Sequence, residues 1–190
     1  MYKYLYLTEV EWSVAWINGG EIPISLASTY LNEERDGILT PDENLIHRSE
    51  VDIRSLSPAI HFENIKNLNM SGCSINGKAI PKINNASLYK EDGLILSFCN
   101  SHDDEIATRL GKSCCVRISN IKELYLSINK QLGVKGKMGD CKYTQGHNRN
   151  HFLKSVEDEW QQEFRMFWAY PKNAMVTIPS GLGKLLSIYN

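Results

Sequence analysis

No charge of either sign dominates this chain. Its 21 Lys and Arg oppose 22 Asp and Glu, so no global field draws it onto nucleic acid or a membrane surface. It has no apolar run of membrane-spanning length. Its start, Met1-Tyr2-Lys3-Tyr4, has no charged leader followed by an apolar stretch, so no signal peptide is expected. The five cysteines stand at 73, 99, 114, 115 and 141 without a Cys-x-x-Cys pair. That odd count and spacing argue against a disulfide framework and a zinc knuckle. Neither Gly-x-x-x-x-Gly-Lys nor Gly-x-Gly-x-x-Gly occurs, which removes the common phosphate loops. There is no internal repeat and no linker, so residues 1–190 are expected to form one domain. Together these absences predict a cytoplasmic protein with no membrane partner.

What is present is a series of short strand signals with few helices. Tyr4 to Leu7 reads as a strand. Thr8-Glu9-Val10-Glu11 fits a capping box with Thr8 as N-cap, opening a helix to Asn18 that stops at Gly19-Gly20. Pro23 to Leu26 suits another short strand. From Ala27 to Pro58 the pattern weakens into a long irregular region, with Thr40-Pro41-Asp42-Glu43 as a turn or helix start. Residues 60–80 are β-rich, and Asn76-Gly77 supplies the positive φ angles of a tight hairpin. Gly93 to Cys99 is a nearly continuous apolar run, hence a central strand. Asp103 to Leu110 fits a short helix ended by Gly111, and Cys114 to Ile118 a strand. Adjacent Cys114 and Cys115 would face opposite sides of it. Ile121, Leu124, Tyr125, Ile128 and Leu132 fall at helical spacing between the cap Ser119-Asn120 and Gly133. Strands over Gly139 to Thr144, Gln161 to Ala169 and Ala174 to Ile178 complete the set. Poor strand–helix alternation predicts an α+β fold of mostly antiparallel sheets.

Chemistry-bearing residues are sparse. His147 and His151 lie four apart, but Gly146, Asn148 and Asn150 disfavour a helix there and no third ligand is near. They read as surface histidines, and no metal is expected. Cys99 and His102 are close in sequence, yet Cys99 reads as core. Lys130, Lys135, Lys137, Lys142 and Arg149 outnumber Asp140 over one stretch. It is either a solvated basic loop or a phosphate contact. The segment Trp160 to Trp168 alternates: Gln161, Glu163 and Arg165 would share one face, and Gln162, Phe164, Met166 and Trp168 the other. From spacing alone, Glu163 and Arg165 form a weak surface pair on an edge strand. The alternative is that Glu163 is the seat of an enzyme's chemistry.

Several segments in order carry a resemblance. They are Leu96-Ser97-Phe98-Cys99-Asn100-Ser101, Cys141-Lys142-Tyr143-Thr144, Phe152-Leu153-Lys154-Ser155 and Trp160 through Arg165, with Ser28 through Arg35 upstream. In this order and spacing the chain resembles a diffuse bacterial family of ADP-ribosyltransferase-like proteins, over most of its length. The resemblance implies an ADP-ribosyltransferase-like fold, two small sheets with an NAD cleft between them. Gln161-Gln162-Glu163 matches the family's Gln-x-Glu, which implies that Glu163 is the catalytic carboxylate and that Gln161 holds acceptor or ribose. Many members carry His or Arg on the first strand, and Tyr4 to Thr8 has neither. The resemblance then leaves Tyr6 and Thr8 to fill part of that role, with Arg35 gripping the NAD phosphates. Ser28 and Asn32 lie in the Ser- and Asn-containing loop, and Ser97 borders the nicotinamide pocket. The implied function is transfer of ADP-ribose from NAD to a macromolecule, protein or nucleic acid. A bacterial toxin or phage-defence role with a neutralising antitoxin is also implied. An NAD glycohydrolase and a non-catalytic binding module are the rival expectations.

Overall fold

Alternating tyrosine and leucine make Lys3–Leu7 the first strand, β1. The computed structural model describes residues 1–31 and 42–189 of the chain. After β1 a short 3₁₀ turn leads into helix α1, Ser13–Asn18, which ends where Gly19 takes φ 79°. Then come β2 (Gly20–Ile24), β3 (Leu45–Arg48) and β4 (Ile65–Met70). The hairpin strands β5 (Ser74–Ile75) and β6 (Lys78–Ala79) follow, turned by Asn76 at φ 50° and Gly77 at φ 77°. Strands β7 (Ile83–Lys90) and β8 (Leu94–Cys99) precede helix α2, Asp104–Arg109. Strand β9 (Cys114–Ile118) feeds helix α3, Ile121–Leu132, capped by the Asn120 side chain and ended by Gly133 in the left-handed region. The remaining strands are β10 (Lys137–Asp140), β11 (Lys142–Thr144), β12 (Leu153–Ser155), β13 (Glu163–Trp168), β14 (Ala174–Ile178) and β15 (Gly183–Ile188).

The result is a mixed α+β architecture of several small sheets, antiparallel except for the β11–β12 pair. The largest sheet runs β10-β13-β8-β1-β9-β15. One of its faces is the main core. Leu5, Leu7, Leu94, Phe98, Val116, Phe164, Met166 and Trp168 meet Trp16 of α1 and Leu124, Tyr125 and Ile128 of α3 there. Each such buried side chain contributes roughly 1.5–3 kcal/mol. Trp168 also finds a partner for its indole N–H, donating to Asn129 Oδ1 at 2.7 Å. On the opposite face α2 lays Ile106 and Ala107 over Tyr6, Cys99 and Cys115. A separate sheet, β3-β7-β4, encloses Ile53, Ile83 and Ala86.

The largest sheet is nearly two sheets. β8 pairs with β13 over six residues and β1 with β9 over five. Yet β1 meets β8 only at Tyr4–Cys99. Beyond that point the two strands splay. Main-chain groups alternate between the two sides of a strand. Ser113 donates to Leu7 O on the β9 side, and Ile95 donates to Ser25 O on the outer side of β8. By that parity the N–H and C=O of Tyr6 and of Ser97 point into the gap.

Several expectations change. No capping box forms at Thr8: the cap of the 3₁₀ turn is Glu9, without a side-chain bond, and the Thr8 hydroxyl accepts from Lys112 Nζ at 2.9 Å. The irregular region contains β3. Gly139 to Thr144 is two strands in different sheets: Cys141 N–H still reaches Glu163 O beside β13, and Lys142 N–H then turns to Phe152 O. β13 begins at Glu163, not Gln161, because Gln162 adopts φ 45°, ψ 51° and closes a 3₁₀ turn. No helix among the described residues is long and apolar enough to cross a membrane.

Candidate functional site

The turn before β13 builds the site. Ser155 caps the 3₁₀ turn Val156–Gln161 through its hydroxyl. The left-handed Gln162 then reverses the chain, and its carbonyl accepts from Asn100 N–H at 2.9 Å. Glu163 N–H donates to the Tyr143 hydroxyl at 2.8 Å and its carbonyl takes Cys141 N–H, also at 2.8 Å. The backbone at Gln162 and Glu163 is thus held from two sides, by Asn100 and by the segment Cys141 to Tyr143. Its side chain goes to the face of the sheet shared by Ser97 and Cys99.

Glu163 is not an exposed carboxylate, and its bond to Arg165 is not a surface pair. Glu163 and Arg165 are both buried. Arg165 Nε donates to Glu163 Oε1 at 3.0 Å, and Lys154 Nζ donates to Oε2 at 2.8 Å. Lys154 is also buried and donates to Gln161 Oε1 at 2.9 Å, with Asp158 at 3.6 Å. Arg165 reaches on to Glu43 Oε1 at 2.6 Å and to the His151 carbonyl at 3.3 Å. Two cations therefore serve three carboxylates. Burial pushes the Glu163 carboxyl up, but Arg165 and then Lys154 outweigh it and hold it well below the ordinary carboxylate range. Burial likewise opposes the charge on Lys154, and Glu163 foremost restores it, raising its pKa. Asp158, further from the cations, moves the other way, because burial exceeds the pull of Lys154. The two cations therefore favour the ionised form of Glu163 at neutral pH.

A cleft of about 640 Å³ opens along the gap between β1 and β8. Glu163 and Gln161 line it, together with Tyr6, Thr8 and Ser97. The structure thus brings together five of the eight residues singled out from the sequence. Ser28 does not line the cleft: its N–H and hydroxyl both go to Asp92, while its neighbours Thr29 and Tyr30 do line it. Asn32 and Arg35 lie outside the described residues. Tyr6 has a structural commitment as well. Its hydroxyl accepts from Asp103 N–H at 2.8 Å and faces the carbonyls of Ser101 and Asp103, and burial raises its pKa. Among the described cleft residues the charged groups are Glu11, Glu21, Glu43, Glu163 and Lys112.

The sequence reading missed Glu43, Lys154 and Lys112. Lys154 stands in a three-residue strand, too short for alternation to declare a face. Glu43 sits in a segment read only as a turn, and no local pattern announces that it meets β13. The histidines also differ from expectation. His151 is buried, stacked on Phe167 with centroids 3.6 Å apart, its Nε2 3.1 Å from Glu91 Oε2. His147 is half-buried, its ring 4.8 Å from that of His47 and its Nε2 3.0 Å from the Ser49 carbonyl. Both are packing groups rather than free surface side chains. No cluster of three or more metal-capable side chains occurs among the described residues. Cys99 is core as expected, with burial first and Glu163 second pushing its thiol up to about 12. His102 turns instead to Ser187 and Tyr189.

Chemically, the cleft presents a fixed, ionised carboxylate beside a neutral amide at the edge of a split sheet. Such a carboxylate stabilises positive charge that develops nearby without reorganising during the reaction. Comparison with known proteins adds nothing to this geometry: no family model, curated protein or solved structure matches the chain.

Proposed function

We propose that this protein transfers ADP-ribose from NAD to a macromolecule. The observation that carries the reading is the ionised Glu163, locked by Arg165 and Lys154, at the wall of a cleft between two half-sheets. Breaking the ribose–nicotinamide bond builds positive charge on the ribose ring. A carboxylate facing that ring stabilises the charge as it forms. Gln161 beside it holds a ribose or acceptor hydroxyl without adding charge. The resemblance described above points the same way, and with it a role as a toxin or phage-defence effector paired with an antitoxin. Exposed Lys130, Lys135, Lys137 and Lys142 would contact a nucleic-acid acceptor outside the cleft, since none of them lines it.

One observation favours a second reading. Both Glu163 oxygens already have cationic partners, as they would in a binding module that uses the network only to hold the cleft open. Incubation with NAD labelled in the adenosine half separates the readings. Label on a macromolecule supports transfer, free ADP-ribose supports hydrolysis, and intact NAD supports the binding module. For transfer, Glu163→Gln lowers the rate by about 10²–10³-fold, on the scale of losing one preorganised electrostatic group. The same substitution relieves the growth arrest expected on expressing the wild type without an antitoxin. An unchanged transfer rate in Glu163→Gln sinks the mechanism.

A further inference from the structure

The small sheet β3-β7-β4 has a face that belongs neither to a core nor to the cleft. Leu88 of β7 pairs with His47 of β3 and Ile65 of β4, and with Ala86 and Leu68 it packs inward on Ile53. Alternation sends Tyr89, Ile46, Arg48 and Lys66 to the other face. There Ile46 stands opposite Tyr89, and Arg48 opposite Ser87. No residue of the three strands lines the cleft. Arg48, Lys66, Asn67, Asn69 and Asn85 are exposed, and Tyr89 is half-buried.

The charge here has one sign. The three strands contain Arg48, Lys66 and Lys90 and no Asp or Glu. From Asn64 to Lys90 the sequence holds four lysines and no acid, in a chain whose net charge is -1. Both cations of the outer face are set in place. Arg48 Nη2 donates to Asn67 Oδ1 at 3.2 Å and to Asn85 Oδ1 at 3.3 Å, which aims the guanidinium across the central strand. Lys66 Nζ lies 4.4 Å from the centroid of the Tyr89 ring. The middle strand thus carries an aromatic ring, and each neighbouring strand carries a cation.

We propose that this face binds single-stranded RNA. A base stacks on Tyr89, and Arg48 and Lys66 contact phosphates on either side of it. Stacking of a base on an aromatic ring outweighs an exposed cation–π contact, so the base displaces Lys66 and turns its ammonium to a phosphate. A duplex keeps its base faces stacked on one another and offers none to the ring. The bonds from Arg48 fix the oxygens of Asn67 and Asn85. The amide N–H groups of the same side chains then donate to the 2′-hydroxyls that DNA lacks. An acidic peptide supplies negative charge without a base to stack. The proposal stands apart from the transfer reading, because it concerns binding without NAD.

The test is fluorescence anisotropy of the full chain with labelled oligo(U), oligo(dT) of equal length and an RNA duplex, without NAD and over a range of salt. Oligo(U) is expected to bind with a slope of log affinity against log salt of about -1.4, the value for two phosphates on a single strand. Arg48→Ala and Lys66→Ala each take about 0.7 from that slope. Tyr89→Ala weakens binding about tenfold without changing the slope, and Tyr89→Phe restores it to within about twofold. Oligo(dT) binds about fivefold more weakly, on the scale of one hydrogen bond. Lys184→Ala, an exposed lysine on β15, behaves as wild type. Failure to bind oligo(U) at low salt overturns the proposal. So does equal binding of the duplex or of oligo(dT), or competition by oligoglutamate as effective as by unlabelled oligo(U). Should Tyr89→Ala not fold, wild-type slopes in both Arg48→Ala and Lys66→Ala overturn it equally. None of these outcomes bears on whether NAD is cleaved, which the labelled-NAD experiment reads separately.

Discussion

Glu163 carries its charge with almost no water around it, and the cost of that is met by Arg165 and Lys154. A buried pair of this kind adds little net stability, because desolvating the ions offsets most of their attraction. Removing one partner is another matter. In Arg165→Met the carboxylates of Glu163 and Glu43 lose the guanidinium that joins them. We expect a loss of about 3–5 kcal/mol in urea unfolding, against a much smaller loss for an exposed cation such as Lys137→Met. Equal losses in the two variants would mean that the network is not closed to water. Little of this was legible in the sequence. The alternation from Trp160 to Trp168 assigned Phe164, Met166 and Trp168 to one face and Glu163 and Arg165 to the other, as found. Burial of the polar face was invisible, because its partners come from afar: Glu43 lies 122 positions from Arg165.

Elements with a strong local signal were readable and short ones were not. Five apolar residues at helical spacing announced α3, and Asn76-Gly77 announced the β5–β6 turn, because both rest on neighbours in sequence. β3 and β12, four and three residues long, are strands because of what lies beside them. The Gln162 kink shows the same limit, since a left-handed glutamine has no sequence signature. β3 also carries the clearest pH-sensitive contact. His47 is buried against Ser49 and bridges through its backbone to Arg149, fastening the segment that leads into β12. Burial, aided by Arg54, pushes its pKa down from 6.5 to about 4. Between those values the unfolded chain binds a proton at this site and the folded one does not, so stability falls as pH drops. Urea midpoints should be flat above about pH 7 and decline from there towards about pH 4. In His47→Gln part of that decline disappears. A slope identical to wild type in the variant would show that His47 takes its proton inside the fold.

At the scale of the whole molecule, two half-sheets share one core on one face and separate on the other side of a single strand contact at Tyr4 and Cys99. A ligand seated between them touches both halves at once and stabilises the folded state by mass action, by about 2.7 kcal/mol at a hundredfold excess over Kd. Saturating NAD should therefore raise the melting temperature. It should also slow hydrogen exchange at the Tyr6 and Ser97 amides, which face the gap, more than at Leu5 or Phe98, whose main-chain groups face their ladder partners. Glu163→Gln should start from a lower melting temperature, because it removes the charge shared by Arg165 and Lys154, and NAD should still raise that temperature and slow exchange at the two amides. Unchanged exchange at Tyr6 and Ser97 with NAD bound would place the ligand elsewhere.

The gap also bears on how such a protein drifts through sequence space. Two unzipped strand edges offer the same amide and carbonyl groups whatever side chains they carry. A ligand read by those edges is read by the peptide backbone, and substitution does not rewrite the backbone. Along β1 and β8 the core side chains Leu5, Leu7, Leu94 and Phe98 must stay apolar and of fitting size, but that demand is met by several residue types so long as the strands stay apart beyond Tyr4 and Cys99. Selection then bears on the few side chains that act chemically and on the packing that keeps the seam open. A chain of this kind can keep its binding geometry while its letters become unrecognisable.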